Sequence, residues 1–405
     1  MKIAWLSSWP PRHCGIATYS AELVEALRRE KNEIHILCHP DGGVPGEKNV
    51  YPVVDTDRHG WDEVMYDTVR KIRPDVVHIQ HEFGLFRTSD DHASGLLRPL
   101  FRWKVEGKLP VVITYHSVYT ELSFMIRSYM DVVLSLTDAG IVHALYQWAH
   151  LPVNLGRVVD NVYVIPHGAA VHKTIPKDQA KEALGLKGRR VLGMLGWFTP
   201  TKGFHRVLSL WDEISRRLGP NTVLVLAGDA RRGDLNQIEY KRELLELGEK
   251  SAARDTIKVV IGSFSPEEYE RTLAAFDAMV MPYTFASQSG NLAHSFALGV
   301  PVVASGLEGL KAEVEASGGG IAVPPGDEGA LKRAIVNIME DDELRGLYRE
   351  RAMRYVKERI SWDLIARKHM MLYRKVLLGK RAAPQSLRQV ALLETDTSSM
   401  NRGRR

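Results

Sequence analysis

Three loops in the second half of this chain gather groups able to hold an anion, and each follows a run of apolar, β-branched residues. The first runs from Leu195 through Gly196, Trp197, Phe198 and Thr199 to Lys202 and Gly203, where a helix is expected to begin. A lysine at such a place adds its ammonium to the positive end of the helix dipole, and both attract a phosphate. An earlier glycine at fixed spacing and a Ser or Thr after the lysine are missing, so this is not a triphosphate-binding P-loop. The second loop, Ala227-Gly228-Asp229-Ala230-Arg231-Arg232, adds two cations. The third runs from Met281 to Leu292 and includes Ser287, Gln288, Ser289, Gly290 and Asn291, small or polar residues ahead of a helix that closes at Gly299. A helix start leaves backbone N–H groups without intrahelical partners, and short side chains let a ligand approach them. The competing readings are a surface lysine and an ordinary capped helix.

The first half offers a different set. Trp9-Pro10-Pro11-Arg12-His13-Cys14-Gly15 follows the first apolar run and enters a helix, so Gly15 could expose backbone donors to an anion or a sugar hydroxyl. The loop is not G-x-G-x-x-G, and no acidic residue closes the second strand, which argues against a dinucleotide oxidoreductase. His81-Glu82 and His116 stand at the ends of two further apolar runs, where their side chains could line one cleft. No third ligand at metal-site spacing accompanies these histidines. Asp55-Thr56-Asp57 is a D-x-D triplet of the kind metal-dependent sugar transferases use, but no apolar strand leads into it, so metal independence is expected.

Such loops need strands behind them. Candidate strands are Ile3–Ser7, Glu33–Leu37, Val76–Gln80, Val111–Tyr115, Gly140–Val142 and Val162–Ile165, with helix-period stretches at Ser20–Arg29, Trp61–Ile72 and Glu121–Leu134. The rhythm restarts with Val191–Leu195, Val223–Ala227, Ile257–Ile261, Ala278–Met281, Pro301–Ala304 and Gly320–Val323. Near-continuous apolar strands alternating with helices predict parallel sheets covered on both faces. The fold class is therefore α/β, with two Rossmann-like domains joined near Pro166–Pro176, as expected for 405 residues. Ligands in such sheets lie at the carboxyl ends of the strands, where these loops are. Helices are expected from Asp327 to about Leu378, with a restart at Ser361-Trp362-Asp363, and a disordered tail over 379–405.

With 54 basic and 49 acidic residues the net charge is mild, and no block of like charge resembles a nucleic-acid arm. Cys14 and Cys38 cannot form a disulfide framework. Met1–Ser8 lacks the basic start and cleavage site of a signal peptide, and no apolar run reaches bilayer length. The expectation is a cytoplasmic protein, with peripheral contact at the inner face of a membrane left open.

In combination, Gly15, Ile165-Pro166-His167-Gly168, Lys202-Gly203, Ala227-Gly228-Asp229, Gly299–Ala304 and Pro325-Gly326-Asp327 resemble the retaining glycosyltransferases of family 4. The resemblance covers nearly all of residues 1–378. It implies the GT-B fold of two facing Rossmann-like domains: an acceptor domain over 1–170, a nucleotide-sugar domain over 177–360, and a final helix, 361–378, packing back onto the first. It further implies transfer of a hexose, mannose or glucose favoured, from a nucleoside-diphosphate sugar to a sugar or glycolipid hydroxyl with retained configuration and no cofactor. Lys202 resembles the family's donor-phosphate lysine, and His116 matches a first-domain histidine near the transferred sugar. Gly15, Gly196, Trp197, Arg231, Ser289, Gly290, Asn291 and Leu292 would then line the donor, with His81, Glu82 and Gln288 toward sugar and acceptor. Two positions depart from the family. Trp197 stands where an arginine is common, and Ala286 and His294 stand where two glutamates eight apart are usual. A binding protein without efficient turnover, or a nucleotide-sugar epimerase, stays as the alternative.

Overall fold

The computed structural model describes residues 1–86, 94–171, 175–286 and 288–379. The chain divides into two compact units, Met1–Gly168 with the segment from Trp362 onward, and Ala169–Ser361. The tail expected over 379–405 lies, from 380 on, outside the described residues, as does Ser287.

The first unit is built on seven parallel strands, β1 (Lys2–Leu6), β2 (Glu33–Leu37), β3 (Val50–Tyr51), β4 (Val76–His81), β5 (Val111–Tyr115), β6 (Ala139–Val142) and β7 (Val162–Val164), in the order β3-β2-β1-β4-β5-β6-β7. Helices α1 (Gly15–Arg29), α2 (Trp61–Ile72), α3 (Leu97–Phe101), α4 (Phe124–Ser135) and α5 (Leu145–Leu155) make the connections. Every residue of β4 and β5 is buried, which is why β5 reads as a nearly unbroken apolar run, while β4 buries His78, Gln80 and His81 among its apolar residues. Two differences from expectation matter. Strand β3 is only two residues long and pairs Val50 with Ile36 and Tyr51 with Leu37, too short to carry a periodic signal. Helix α1 begins at Gly15 instead of Ser20, because Cys14 is extended and the chain turns helical at once without a side-chain cap.

The second unit has six parallel strands, β8 (Arg190–Leu195), β9 (Thr222–Gly228), β10 (Ile257–Ile261), β11 (Ala278–Met281), β12 (Val302–Ser305) and β13 (Gly320–Val323), in the order β10-β9-β8-β11-β12-β13. Its helices are α6 (Lys177–Ala183), α7 (Phe204–Leu218), α8 (Leu235–Lys250), α9 (Pro266–Ala274), α10 (Gly290–Ala297), α11 (Glu308–Ser317), α12 (Glu328–Glu340) and α13 (Asp342–Tyr355). One apolar cluster lies beneath each face of this sheet, one around Phe276 and Phe296, the other around Trp211 and Ile335. Helix α12 starts where Pro325-Gly326-Asp327 predicts, with the Asp327 carboxylate accepting from the Ala330 N–H at 2.7 Å. Just ahead of β11, buried Asp277 accepts from Lys181 Nζ at 2.8 Å, Lys177 Nζ at 3.2 Å and the Val191 N–H at 2.7 Å. That cluster ties α6 and two adjacent strands to one point.

The last helix, α14 (Trp362–Leu377), belongs to the first unit and packs along α1. Trp362 Nε1 donates to Glu22 at 2.9 Å, and Arg29 pairs with Asp363 at 2.8 Å. Asp363 and Arg29 are exposed, so the buried Trp362 and Tyr373 supply most of the attachment. No described helix is long and apolar enough to cross a membrane.

Candidate functional site

In the second unit the carboxyl ends of β8, β9 and β11 bring the predicted anion-binding loops together. Gly196 takes φ +134°, and a Cβ there would lie 3.0 Å from Asn291 Nδ2 and 3.1 Å from Lys202 Nζ. Any side chain would fill that space, so glycine keeps open the ground in front of the lysine. Gly203, at φ +69°, lets the chain turn into α7 with its backbone against the Pro282 carbonyl, 2.3 Å from where a Cβ would sit. Lys202 therefore arrives at the sheet edge by a turn that only glycine accommodates.

The Lys202 ammonium has no carboxylate partner among the described residues. It donates to the Tyr283 hydroxyl at 3.1 Å and lies 4.7 Å from the centre of that ring. Tyr283, only 5% exposed, receives a second, longer contact from Asn291 Nδ2 at 3.5 Å. The same amide nitrogen donates to the Leu195 carbonyl at 2.6 Å, while Asn291 Oδ1 accepts from Tyr269 at 2.9 Å. The Asn291 side chain is thus a fixed strut between β8, α9 and the lysine's support.

Around this strut the other expected donor residues fall in different ways. Ser289 caps α10 without a side-chain bond, so the first N–H groups of that helix keep their outward polarity at Gly290 and Asn291. Leu292 is 2% exposed, and its N–H bonds the Ser289 carbonyl, so it contributes packing. Gln288 is half-buried, with an amide nitrogen that has no partner among the described residues. Trp197 is half-buried, and the exposed Arg231 guanidinium lies over its ring at 5.4 Å. Asp229 is held by Lys241 at 2.7 Å and does not neutralise Arg231. Ala286 packs at the rim of the core and His294 stands edge-on to Tyr269, so no carboxylate occupies either place.

In the first unit the strand ends carry a histidine cluster. His116, just past β5, is half-buried, and its Nε2 lies 2.9 Å from Gln80 Oε1. Its ring meets Tyr19 edge-on at 4.9 Å and His143 at 5.1 Å, and Tyr19 in turn meets His167 and Trp362. Burial lowers the His116 pKa well below the usual imidazole value, and neighbouring His143, His167, His81 and His78 push in the same direction. His81 is 1% exposed and turned inward, with Nε2 at 2.9 Å from the Tyr129 hydroxyl, and burial lowers it to about 4. Glu82 stands at the edge, half-buried. Its carboxylate accepts from Ser117 Oγ at 2.5 Å and from the Phe83 N–H at 3.0 Å, and burial raises its pKa despite those bonds. Gly15 opens α1, and nothing lies within 4 Å of where its Cβ would be. Asp55 and Asp57 lie in the loop ahead of α2, and among the described residues no three His, Cys, Asp or Glu side chains are grouped so that they could hold a metal ion.

Sequence reasoning missed Tyr283, Tyr269, Tyr19, Gln80 and His143. Tyr283 stood in the loop already singled out but looked like any aromatic after a proline. Tyr269, Tyr19 and Gln80 lie inside helices or a strand, and His143 lies in the bend between β6 and α5, where polar residues declare no purpose until the neighbouring elements are known.

Comparison with known proteins agrees with this geometry. Residues 14–173 match the profile described as Glycosyltransferase Family 4, and residues 176–355 match Glycosyl transferases group 1. The D-inositol 3-phosphate glycosyltransferase of Corynebacterium urealyticum is 28% identical over 223 residues, 53% of this chain. The match takes in 51% of that protein, so the chain spans about half the length of this relative. The phosphatidyl-myo-inositol mannosyltransferase of Mycolicibacterium smegmatis is 23% identical over 376 residues, 89% of this chain and 90% of that one. Among solved structures, Anabaena Alr3699/HepE in complex with UDP superposes with a TM-score of 0.73 at 18% identity, covering 93% of this chain and all of that one. With two Rossmann-like sheets of seven and six parallel strands and matches running through both, the chain belongs to the family 4 glycosyltransferases of the GT-B fold.

Proposed function

We propose that this protein transfers a hexose, mannose or glucose, from a nucleoside-diphosphate sugar to a hydroxyl of a sugar or glycolipid acceptor, with retention of configuration and without a resident metal or other cofactor. The observation that carries the reading is Lys202, an ammonium without a carboxylate partner among the described residues, aimed by Tyr283 across the opening that Gly196 preserves. Breaking the glycosidic bond leaves a diphosphate whose charge must be met as it forms. Lys202 and the start of α10 meet it from fixed positions, the arrangement that lowers a barrier most effectively. Arg231, resting on Trp197, supplies a second cation from the β9 loop in place of an arginine in the β8 loop. The second unit is then the donor unit. The first receives the acceptor, with His116 and Glu82 toward the sugars. The names of two relatives, which act on an inositol phosphate and a phosphatidylinositol, favour a polyol acceptor.

Lys202→Ala tests the centre of this reading in a transfer assay over uridine and guanosine diphosphate sugars, run with and without EDTA. The expected result is a fall in kcat of about 100- to 1000-fold for the variant, since a preorganised charge donor is worth about 3–4 kcal/mol of barrier. The wild type should keep its activity in chelator. Turnover of the variant within a few-fold of wild type would remove Lys202 from the site, and loss of wild-type activity with rescue by manganese would bring back Asp55 and Asp57.

A further inference from the structure

A chain of hydrogen bonds leads away from His116 into the interior of the first unit. Gln80 Oε1 lies 2.9 Å from His116 Nε2, and Gln80 Nε2 lies 3.2 Å from His78 Nε2. His78 Nδ1 in turn lies 2.5 Å from the Tyr373 hydroxyl, and its Nε2 is also 2.8 Å from Thr114 Oγ1. Gln80 and His78 are fully buried, as is the Tyr373 side chain. The chain therefore runs from the sheet edge at β5 through two residues of β4 to α14, a helix 295 residues further along than His78.

The chemistry of an amide makes this chain directional. A carboxamide oxygen only accepts and its nitrogen only donates. With the oxygen on His116, that imidazole must carry its proton on Nε2 and keep its lone pair on Nδ1. With the nitrogen on His78, that imidazole must accept at Nε2 and carry its proton on Nδ1, which it donates to the Tyr373 oxygen. The two histidines are thus held in opposite tautomers by the one residue between them, and α14 supplies the terminal acceptor. Burial keeps both rings neutral, and for His78 the neighbouring His369 adds to that effect.

We propose that Gln80 is a positioning residue that, with His78 and Tyr373 behind it, locks His116 as a neutral Nε2–H tautomer and so fixes the form in which that ring serves the sugar site. The proposal rests on the reading of His116 as a sugar-site residue, but its first test does not depend on turnover. It also accounts for a glutamine with no exposed surface between two histidines, a position where an apolar residue would pack without demanding partners.

The test is two-bond 1H–15N correlation of the histidine rings in the whole protein, with His116→Gln and His78→Asn used to identify the two signals. The expected spectrum at pH 7 has His116 as the Nε2–H form and His78 as the Nδ1–H form. Both rings in the same tautomer, or a charged His116, would overturn the proposal whether or not sugar transfer is detected. Two variants then carry the link to catalysis. Gln80→Leu should mix the His116 tautomers and lower kcat about tenfold, the effect of one hydrogen bond, with donor KM within twofold. Gln80→Glu keeps the shape but places a carboxylate between the rings, which favours imidazolium at His116. The acid limb of its kcat profile should move up by about one pH unit or more. A folded Gln80→Leu protein with unchanged kcat, or a Gln80→Glu profile that overlays the wild type, would show that His116 works without this support. If Gln80→Leu does not fold, the wild-type spectrum and the Gln80→Glu profile still decide the matter. A wild type with the expected tautomers but no transfer to any acceptor would instead count against the proposed function alone.

Discussion

The two units bury polarity in opposite ways. The first keeps His78, His81, His143 and His369 inside as neutral rings, each tied through at least one ring nitrogen to a hydroxyl or a backbone carbonyl. The second closes its sheet base on charge, with Asp277 clamped by Lys177, Lys181 and the Val191 N–H. Neutral imidazoles cost little to desolvate but cannot be charged where they stand, whereas an ion cluster tolerates acid until its carboxylate takes a proton and cannot lose one partner. Both units use strand ends for their candidate chemistry, so the contrast lies in how each interior supports that edge.

Acid should separate them most strongly. An unfolded chain protonates each histidine near pH 6.5, while burial holds His81 and His369 neutral down to about 4 and His143 to about 3. Below pH 6.5 the unfolded state binds more protons, so stability falls with pH, by up to about 1.4 kcal/mol per unit for each such ring. In the second unit, burial works against the Asp277 carboxylate, but Lys177 and Lys181 outweigh it and leave the pKa below its ordinary 3.8. Its contribution is present above that value and is lost only as pH falls through the lower, folded one. Glu313, which burial raises to about 7, runs the other way and gains stability as pH falls toward 4.5. Hydrogen exchange read by mass spectrometry at pH 7 and pH 5 should therefore show the first unit opening while peptides of the second stay protected. Equal loss of protection in both would break the comparison.

The second experiment attacks the ionic side. Asp277→Ala strips the counter-charge from buried Lys181 and half-buried Lys177 and should cost about 3–5 kcal/mol, read as a fall in the unfolding midpoint of the second unit. A change under 1 kcal/mol would mean that water already serves the lysines. The smallest effect belongs at the donor edge. Tyr283→Phe removes the hydroxyl that accepts from Lys202 but keeps the ring beneath it, so kcat should fall only about three- to tenfold. A loss as large as that of Lys202→Ala would make Tyr283 a partner in the chemistry and not a support.

Much of the scaffold was legible in the chain. Apolar runs placed every strand except β3, and glycine with lysine before a helix marked the Lys202 loop. Helix starts were less legible, as α1 shows, because Cys14 caps with backbone shape alone. The candidate site was legible where a residue's type implies its use, as with the Lys202 cation or His116 at a strand end. It was illegible where use depends on a partner. His81 and Glu82 are adjacent, yet His81 is the last buried residue of β4 and Glu82, one step past the strand's end, stands at the edge.

The sequence alone determined the rhythm of strand and helix, because burial on both faces demands apolar runs and each crossover demands a helix. It also determined the positive turns at Gly196 and Gly203, since few other residues tolerate them. The tertiary structure decided which of these residues meet. The order β3-β2-β1-β4-β5-β6-β7 sets β4 beside β5, and so puts Gln80 within reach of His116. The return of α14 brings Tyr373 to His78, and the packing of β11 beside β8 brings Tyr283 to Lys202, 81 residues away. Sequence periodicity reports which side of its own element a residue faces. A hydrogen bond depends on two elements at once, and only the folded chain fixes the second.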